Sequence, residues 1–174
     1  FDAVGFTLQY ELSYTNILAM LDLAHIPFYA KDRDESWPLI VAGGPCACNS
    51  EPIADFFDIL FLGDGEEVDL EVIELFRKCR KEGKTKQEFL MEAAQIEGVY
   101  VPSLYDVEYN EDGTVKAYIP HAGVPKTIRK RVCNDVDNMY FPENFVVPFL
   151  DIVHDRAVVE VLRGCIRGCR FCQA

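Results

Sequence analysis

Two runs, Pro38-Leu-Ile-Val-Ala-Gly-Gly-Pro45 and Asp58-Ile-Leu-Phe-Leu-Gly-Asp-Gly-Glu66, decide the fold of this chain. Each is a short apolar stretch that ends in glycine, and a helical pattern follows each. A strand with one solvated face would alternate apolar and polar residues, so uninterrupted apolar runs of this length read as strands covered on both faces. Glycine directly after such a strand lets the chain turn sharply and enter a helix. Strand, glycine turn and helix in succession build a parallel sheet with helices packed against it.

The same grammar extends outward. Asp2-Ala-Val-Gly-Phe-Thr-Leu8 reads as a strand, and residues 12–24 as a helix with Tyr14, Ile17, Leu18, Leu21 and Ala24 at helical spacing. Residues 50–57 suit a short helix with Pro52 in its first turn. Residues 66–82 form a longer one, acidic at its start (Glu66, Glu67, Asp69), basic at its end (Arg77, Lys78, Arg80, Lys81) and followed by Gly83. Thr85-Lys-Gln-Glu88 is a capping-box start for another helix. Residues 1–98 are therefore expected to form an α/β, doubly wound parallel sheet. Ligands of such sheets sit at the carboxyl ends of the strands. That points to the turns at residues 7–10, Gly43-Gly44-Pro45 and Gly63-Asp64-Gly65-Glu66, although any strand-to-helix turn favours glycine.

Residues 99–156 read as a linker. Tyr105-Asp-Val-Glu-Tyr109 and Thr114-Val-Lys-Ala-Tyr-Ile119 flank Asn110-Glu-Asp-Gly113, a hairpin signal, and Pro120, Pro125, Pro142 and Pro148 punctuate an extended strap. Lys126, Arg129, Lys130 and Arg131 read as a solvated linker face rather than an RNA contact. At 174 residues and 49% hydrophobic, the chain can bury one domain and part of another. No apolar run reaches membrane-spanning length. A net charge of −12 argues against a general nucleic-acid-binding surface and leaves RNA an unsupported partner.

The chemistry concentrates at the far end, in Arg163-Gly-Cys-Ile-Arg-Gly-Cys-Arg-Phe-Cys172. Three thiolates within eight residues, Cys165, Cys169 and Cys172, can hold three irons of a four-iron cluster and leave the fourth open. Gly164 and Gly168 let the loop fold tightly enough for the sulfurs to converge. Arg163, Arg167 and Arg170 favour thiolates, and residues 156–174 carry four Arg against one Glu, a local charge of +3. A structural zinc site would want a fourth ligand from elsewhere. The alternative reading is thus a zinc-stabilised, doubly wound binding module with no redox chemistry. Seven cysteines, an odd number, and no visible signal peptide indicate reduced thiols and a cytoplasmic setting.

The other candidates carry less. Cys46 and Cys48, a C-x-C pair that could serve metal or redox chemistry, read rather as small buried loop residues, Cys79 as core, and Cys133 has no evident partner. His25, His121 and His154 stand apart. Glu160 needs a partner, either an arginine of the cysteine loop or a group inside a barrel.

The C-x3-C-x2-C spacing with Phe171 before the last cysteine resembles the cluster motif of the radical S-adenosylmethionine (radical SAM) superfamily. That resemblance implies a [4Fe-4S] cluster on Cys165, Cys169 and Cys172 whose open iron chelates S-adenosyl-L-methionine. It also implies an electron donor such as flavodoxin or ferredoxin, cleavage of the cofactor to a 5'-deoxyadenosyl radical, and Phe171 packing near the adenine. The loop would follow the first strand of a partial βα barrel, here Ala157-Val-Val-Glu-Val-Leu162. Residues 157–174 are then the start of a radical SAM core, expected to be truncated and inactive alone, with an unknown substrate.

Gly43-Gly44 and Gly63-Asp64-Gly65-Glu66 resemble, in order, turns of the later half of the cobalamin-binding domain that precedes many such cores. The resemblance implies a corrinoid facing Gly43, Gly44, Gly63, Gly65 and Glu66, a domain incomplete at its amino end, and a cobalt-binding histidine upstream of Phe1. With Tyr10-Glu-Leu-Ser-Tyr-Thr-Asn16 and the closing residues 159–174, the chain resembles an uncharacterised family of B12-binding-domain radical SAM proteins.

Overall fold

A computed structural model describes residues 1–140, 142–144, 149–153, 156, 158–161 and 163–172, which divide into two units, Phe1–Asn134 and Asp135–Ala174. In the first unit a four-stranded sheet has the order β1 (Ala3–Thr7), β2 (Leu39–Gly43), β3 (Ile59–Phe61), β4 (Val99–Tyr100). β1 pairs parallel to β2 from Ala3 opposite Leu39 to Thr7 opposite Gly43, and β2 pairs parallel to β3 with Val41 opposite Ile59. β4 runs antiparallel, Leu60 opposite Tyr100. The pattern of buried strands correctly anticipates the three parallel strands; the fourth is two residues long and carries no periodicity to read.

Side-chain alternation along β2 explains its continuous apolar run. Leu39 and Val41 face one core cluster, together with Val68, Val72 and Cys79 of α2 (Gly65–Glu82) and Phe89, Leu90 and Ala93 of α3 (Lys86–Ala93). Ile40 and Ala42 face the other, with Ile17 and Leu21 of α1 (Tyr14–Leu23) and with Cys46, Ile53 and Phe57 from the loop after β2. Both faces are covered, so neither can alternate with polar residues. Ile40, Ile59 and Leu60 are 0% exposed, and each such side chain contributes roughly 1.5–3 kcal/mol relative to exposure.

The helix ends follow their residues. α2 stops at Gly83, whose φ of 70° is left-handed, and the next amide, Lys84 N–H, donates back to the Cys79 carbonyl at 3.0 Å. α3 starts with the expected capping box: Glu88 N–H donates to Thr85 Oγ1 at 3.2 Å and Thr85 N–H to Glu88 Oε2 at 2.8 Å. The expected short helix between β2 and β3 is instead two successive 3-10 turns, Pro45–Asn49 and Glu51–Phe56, each opening on or next to a proline.

A buried charge network ties these layers together at the amino ends of β2 and β3. Asp58, 2% exposed, accepts from Ile40 N–H at 2.7 Å, Arg33 Nη2 at 3.1 Å and Lys86 Nζ at 2.8 Å. Arg33 also donates to the carbonyls of Pro27, Phe28 and Phe56 at 2.8–2.9 Å. One carboxylate thus locks the segment before β2, both central strands and the start of α3.

The hairpin β5 (Tyr105–Tyr109) and β6 (Val115–Pro120) turns through Gly113. Sequence places the end of the first domain at residue 98, whereas the hairpin and strap as far as Asn134 lie within the first unit. Val101 and Leu104 are fully enclosed and Val124 and Cys133 are buried, so this segment contributes to the core of the first unit.

In the second unit, a 3-10 turn at Val136–Asn138 is capped by Asp135, whose carboxylate accepts from Asn138 N–H. Of the expected barrel strand, Ala157 and Leu162 lie outside the described residues, as does His154. Residues 158–161 are in no strand, and Val158, Val159 and Val161 are 75%, 69% and 91% exposed. A parallel strand needs a laddered neighbour to satisfy its backbone, and among the described residues none pairs with this one.

Candidate functional site

The cysteine loop presents Cys165, Cys169 and Cys172 as free, exposed thiols. A backbone bond from Cys172 N–H to the Cys169 carbonyl, 3.1 Å, folds the last turn of the loop. Gly164 and Gly168 have φ of +86° and +64°, and a Cβ built on either would meet nothing within 4 Å. Here glycine serves the reversal of the chain itself. Arg163 donates to Glu160 through Nε at 2.9 Å and Nη2 at 2.8 Å, and the arginine holds the Glu160 carboxyl below its ordinary value. Of the two partners expected for Glu160, the structure selects the arginine. Phe171 is 91% exposed, with its ring face open. The three sulfurs are soft and exposed, but among the described residues no three Cys, His, Asp or Glu side chains are gathered closely enough to hold a metal ion.

The carboxyl edge of the sheet uses its glycines differently. Gly63 has φ of +110°, and a Cβ there would lie 2.1 Å from the Arg131 carbonyl oxygen. The strap passes through that space: Arg131 N–H donates to the Leu62 carbonyl at 2.8 Å, and Asp64 N–H donates to the Arg131 carbonyl at 3.0 Å. Gly98 is shaped by the same visitor, its Cβ position lying 2.8 Å from Arg131 Cβ. Gly44, φ +104°, is pressed against Leu8, whose carbonyl oxygen would be 3.0 Å from an added Cβ. Gly43 would make ordinary contact with Phe61, and Gly65 is overlaid by the Asp69 carboxylate. Glu66, in the first turn of α2, has the Cys133 sulfur 3.9 Å from its carboxylate, while Cys133 N–H donates to Asp64 Oδ2 at 2.8 Å. Gly44, Gly63 and Gly65 therefore face the chain's own atoms.

Arg131 also departs from the solvated role read for the basic cluster. Its guanidinium meets Glu67 at 2.8 Å and Glu71 at 2.6 Å on α2, and its side chain is 18% exposed. Backbone pairing and two ion pairs pin the strap to β3 and α2. No sequence rule announces such a contact, because the carboxylate partners are 60 and 64 residues away and two of the five bonds are main-chain.

The remaining cysteines separate from the loop by burial. Cys46 is enclosed, and burial first, then the Glu11 carboxylate, pushes its thiol up from its ordinary value. Burial and Glu92 do the same to Cys79. Protonated thiols are poor metal ligands. Cys48, by contrast, is exposed, against its reading as a buried loop residue.

Sequence reasoning missed one further arrangement. Between the loop after β2 and the hairpin lies a cavity of about 260 Å³ with Cys48, Glu51, Tyr100, Tyr105, Tyr118 and Lys126 on its walls. Tyr100 is 7% exposed and its hydroxyl donates to Glu51 Oε1 at 2.6 Å; burial and that carboxylate drive the phenol far above its ordinary value. Tyr105 packs edge-on against Tyr100, ring centres 5.3 Å apart, and donates to the Pro125 carbonyl at 2.8 Å. The residues come from five separate places in the chain, so no local motif joins them.

Among known proteins, the family described as "Radical SAM proteins, N-terminal" matches residues 1–102. The chain is also 32% identical over 179 aligned residues to the uncharacterized protein MJ0966 of Methanocaldococcus jannaschii. That alignment covers 100% of this chain and 30% of the relative's length. No solved structure matches. No helix among the described residues is long and apolar enough to cross a membrane.

Proposed function

This chain belongs to the family of radical SAM proteins, N-terminal, and from that premise we propose that Cys165, Cys169 and Cys172 hold a [4Fe-4S] cluster serving S-adenosyl-L-methionine cleavage. The observation that carries the proposal is the contrast among thiols: three exposed sulfurs on one glycine loop, against Cys46 and Cys79 buried and held protonated. When bound, such a cluster supplies one electron to S-adenosylmethionine and so starts radical chemistry on a substrate.

The chain's own residues then have distinct tasks. The three thiolates leave one iron without a protein ligand. Gly164 and Gly168, both at positive φ, would let the loop tighten until the sulfurs converge on the cluster. Arg163 stiffens the approach to the loop by its paired bonds to Glu160. The exposed Phe171 ring offers a surface for the adenine. A corrinoid at the Gly43, Gly44, Gly63, Gly65 and Glu66 turns, implied by their resemblance to a cobalamin-binding domain, is a separate proposal that equilibrium dialysis with hydroxocobalamin tests. The activity is proposed for the whole protein, with an electron donor of flavodoxin or ferredoxin type.

Anaerobic reconstitution with iron and sulfide tests the reading. The expected product is brown, with visible absorption that dithionite bleaches. A colourless protein holding one zinc would overturn it and establish the zinc-stabilised module instead.

A further inference from the structure

The carboxyl edge of the sheet is divided. Over β3 the strap seals it, with Arg131 filling the space that Gly63 leaves. Beside the seal, the cavity of about 260 Å³ stays open, walled by residues 47–51 after β2, Leu62 after β3, Tyr100 of β4 and the hairpin tyrosines. Ligands of α/β sheets bind at this edge, and the cavity is a part of it that the described residues leave unfilled.

We infer that this cavity binds a small zwitterion of the amino-acid class, its ammonium against Glu51 and its carboxylate against Lys126. Size sets the first limit. Pockets for drug-sized ligands run to roughly 300–1,000 Å³, so about 260 Å³ suits a smaller molecule. The walls set the second: Leu62, Ile128 and the rings of Tyr105 and Tyr118 offer apolar surface for a hydrocarbon or aromatic side chain.

Charge decides the class. Glu51 and Lys126 both line the cavity, yet they do not pair with each other, and among the described residues Lys126 forms no ion pair. An anion alone would be repelled by Glu51 and a cation alone by Lys126. A molecule bearing both charges satisfies both walls. Glu51 is also held for the task, because the hydroxyl of the buried Tyr100 fixes one carboxylate oxygen at 2.6 Å and leaves the other to accept.

Binding of L-phenylalanine to the 174-residue chain, measured by calorimetry beside L-phenylalaninamide and 3-phenylpropanoate, tests the inference. The amide lacks the carboxylate and the propanoate lacks the ammonium. L-Phenylalanine is expected to bind at least about tenfold more tightly than either, the scale of one charge-assisted contact. Lys126→Met should erase the advantage over the amide, and Glu51→Gln the advantage over the propanoate. Thermal melting shows whether Glu51→Gln still folds; if it does not, the exposed Lys126 variant decides alone. No binding of L-phenylalanine, or equal binding of all three probes, would overturn the inference. Neither result bears on the cysteine loop, whose iron content is measured separately.

Discussion

Glycine does opposite work at the two ends of this chain. At the carboxyl edge of the sheet, Gly63 and Gly98 yield their side-chain space to Arg131, and Gly44 to Leu8. In the cysteine loop, Gly164 and Gly168 have nothing within 4 Å. The same residue type, with positive φ in each case, closes one region upon itself and leaves the other open. A glycine turn in sequence is therefore no evidence of a ligand until the space beside it is known. The cysteine spacing is different evidence, because soft donors at fixed separation specify chemistry as well as shape.

The largest effects should fall on the closed region. Asp58→Ala leaves Arg33, whose side chain is fully enclosed, with an uncompensated charge, and should cost about 3–5 kcal/mol in denaturant unfolding. A loss under about 1 kcal/mol would mean that the network is not buried as described. Gly63→Ala would set a Cβ 2.1 Å from the Arg131 carbonyl oxygen at a φ of +110°, and should cost about 2–3 kcal/mol by expelling the strap. Hydrogen exchange should show the Asp64 amide, which donates to Arg131, losing protection in that variant.

Thr85→Ala removes one half of the capping box and should cost about 1 kcal/mol. The pH dependence has a definite sign. Bonds from the Thr85 backbone N–H and hydroxyl lower the Glu88 carboxyl from its ordinary 4.5, so the folded state binds that proton less readily than the unfolded state. Its stabilising contribution is present above 4.5 and fades as pH falls through the lowered value. Thr85→Ala keeps the backbone bond and should flatten this acid-side slope only in part, whereas Glu88→Gln should remove it; an unchanged slope in Glu88→Gln would exclude Glu88 as its source.

The open region should respond least in stability and most in metal. Gly164→Ala meets no neighbouring atom, so it should shift the unfolding midpoint of the first unit by less than about 0.5 kcal/mol. Its positive φ should still impair convergence of the sulfurs and lower iron retention on reconstitution. A drop in stability as large as that of Gly63→Ala would erase the distinction between the two regions.

Much of the first unit was legible because its signals are local. The apolar runs at residues 38–42 and 58–62, the dipole-matched charges of α2, Gly83 and the Thr85 box each specify structure within a few residues. What escaped reading depends on distance. β4 is two residues long and is defined by its partner, Leu60 opposite Tyr100. Arg131 looked like solvated charge because Glu67 and Glu71 meet it only after the strap folds back. The tyrosine-lined cavity gathers residues 47–128, and none announces the others. In the second unit the cysteine spacing is a local signal on which the cluster proposal rests, whereas residues 158–161, β-branched as a strand should be, pair with no strand among the described residues.

Iron analysis of reconstituted Cys169→Ala beside the parent chain tests the central claim most directly. About four irons and four sulfides are expected per parent chain and essentially none in the variant, with the first unit still folded by circular dichroism. Iron retained at the parent level in Cys169→Ala would contradict it.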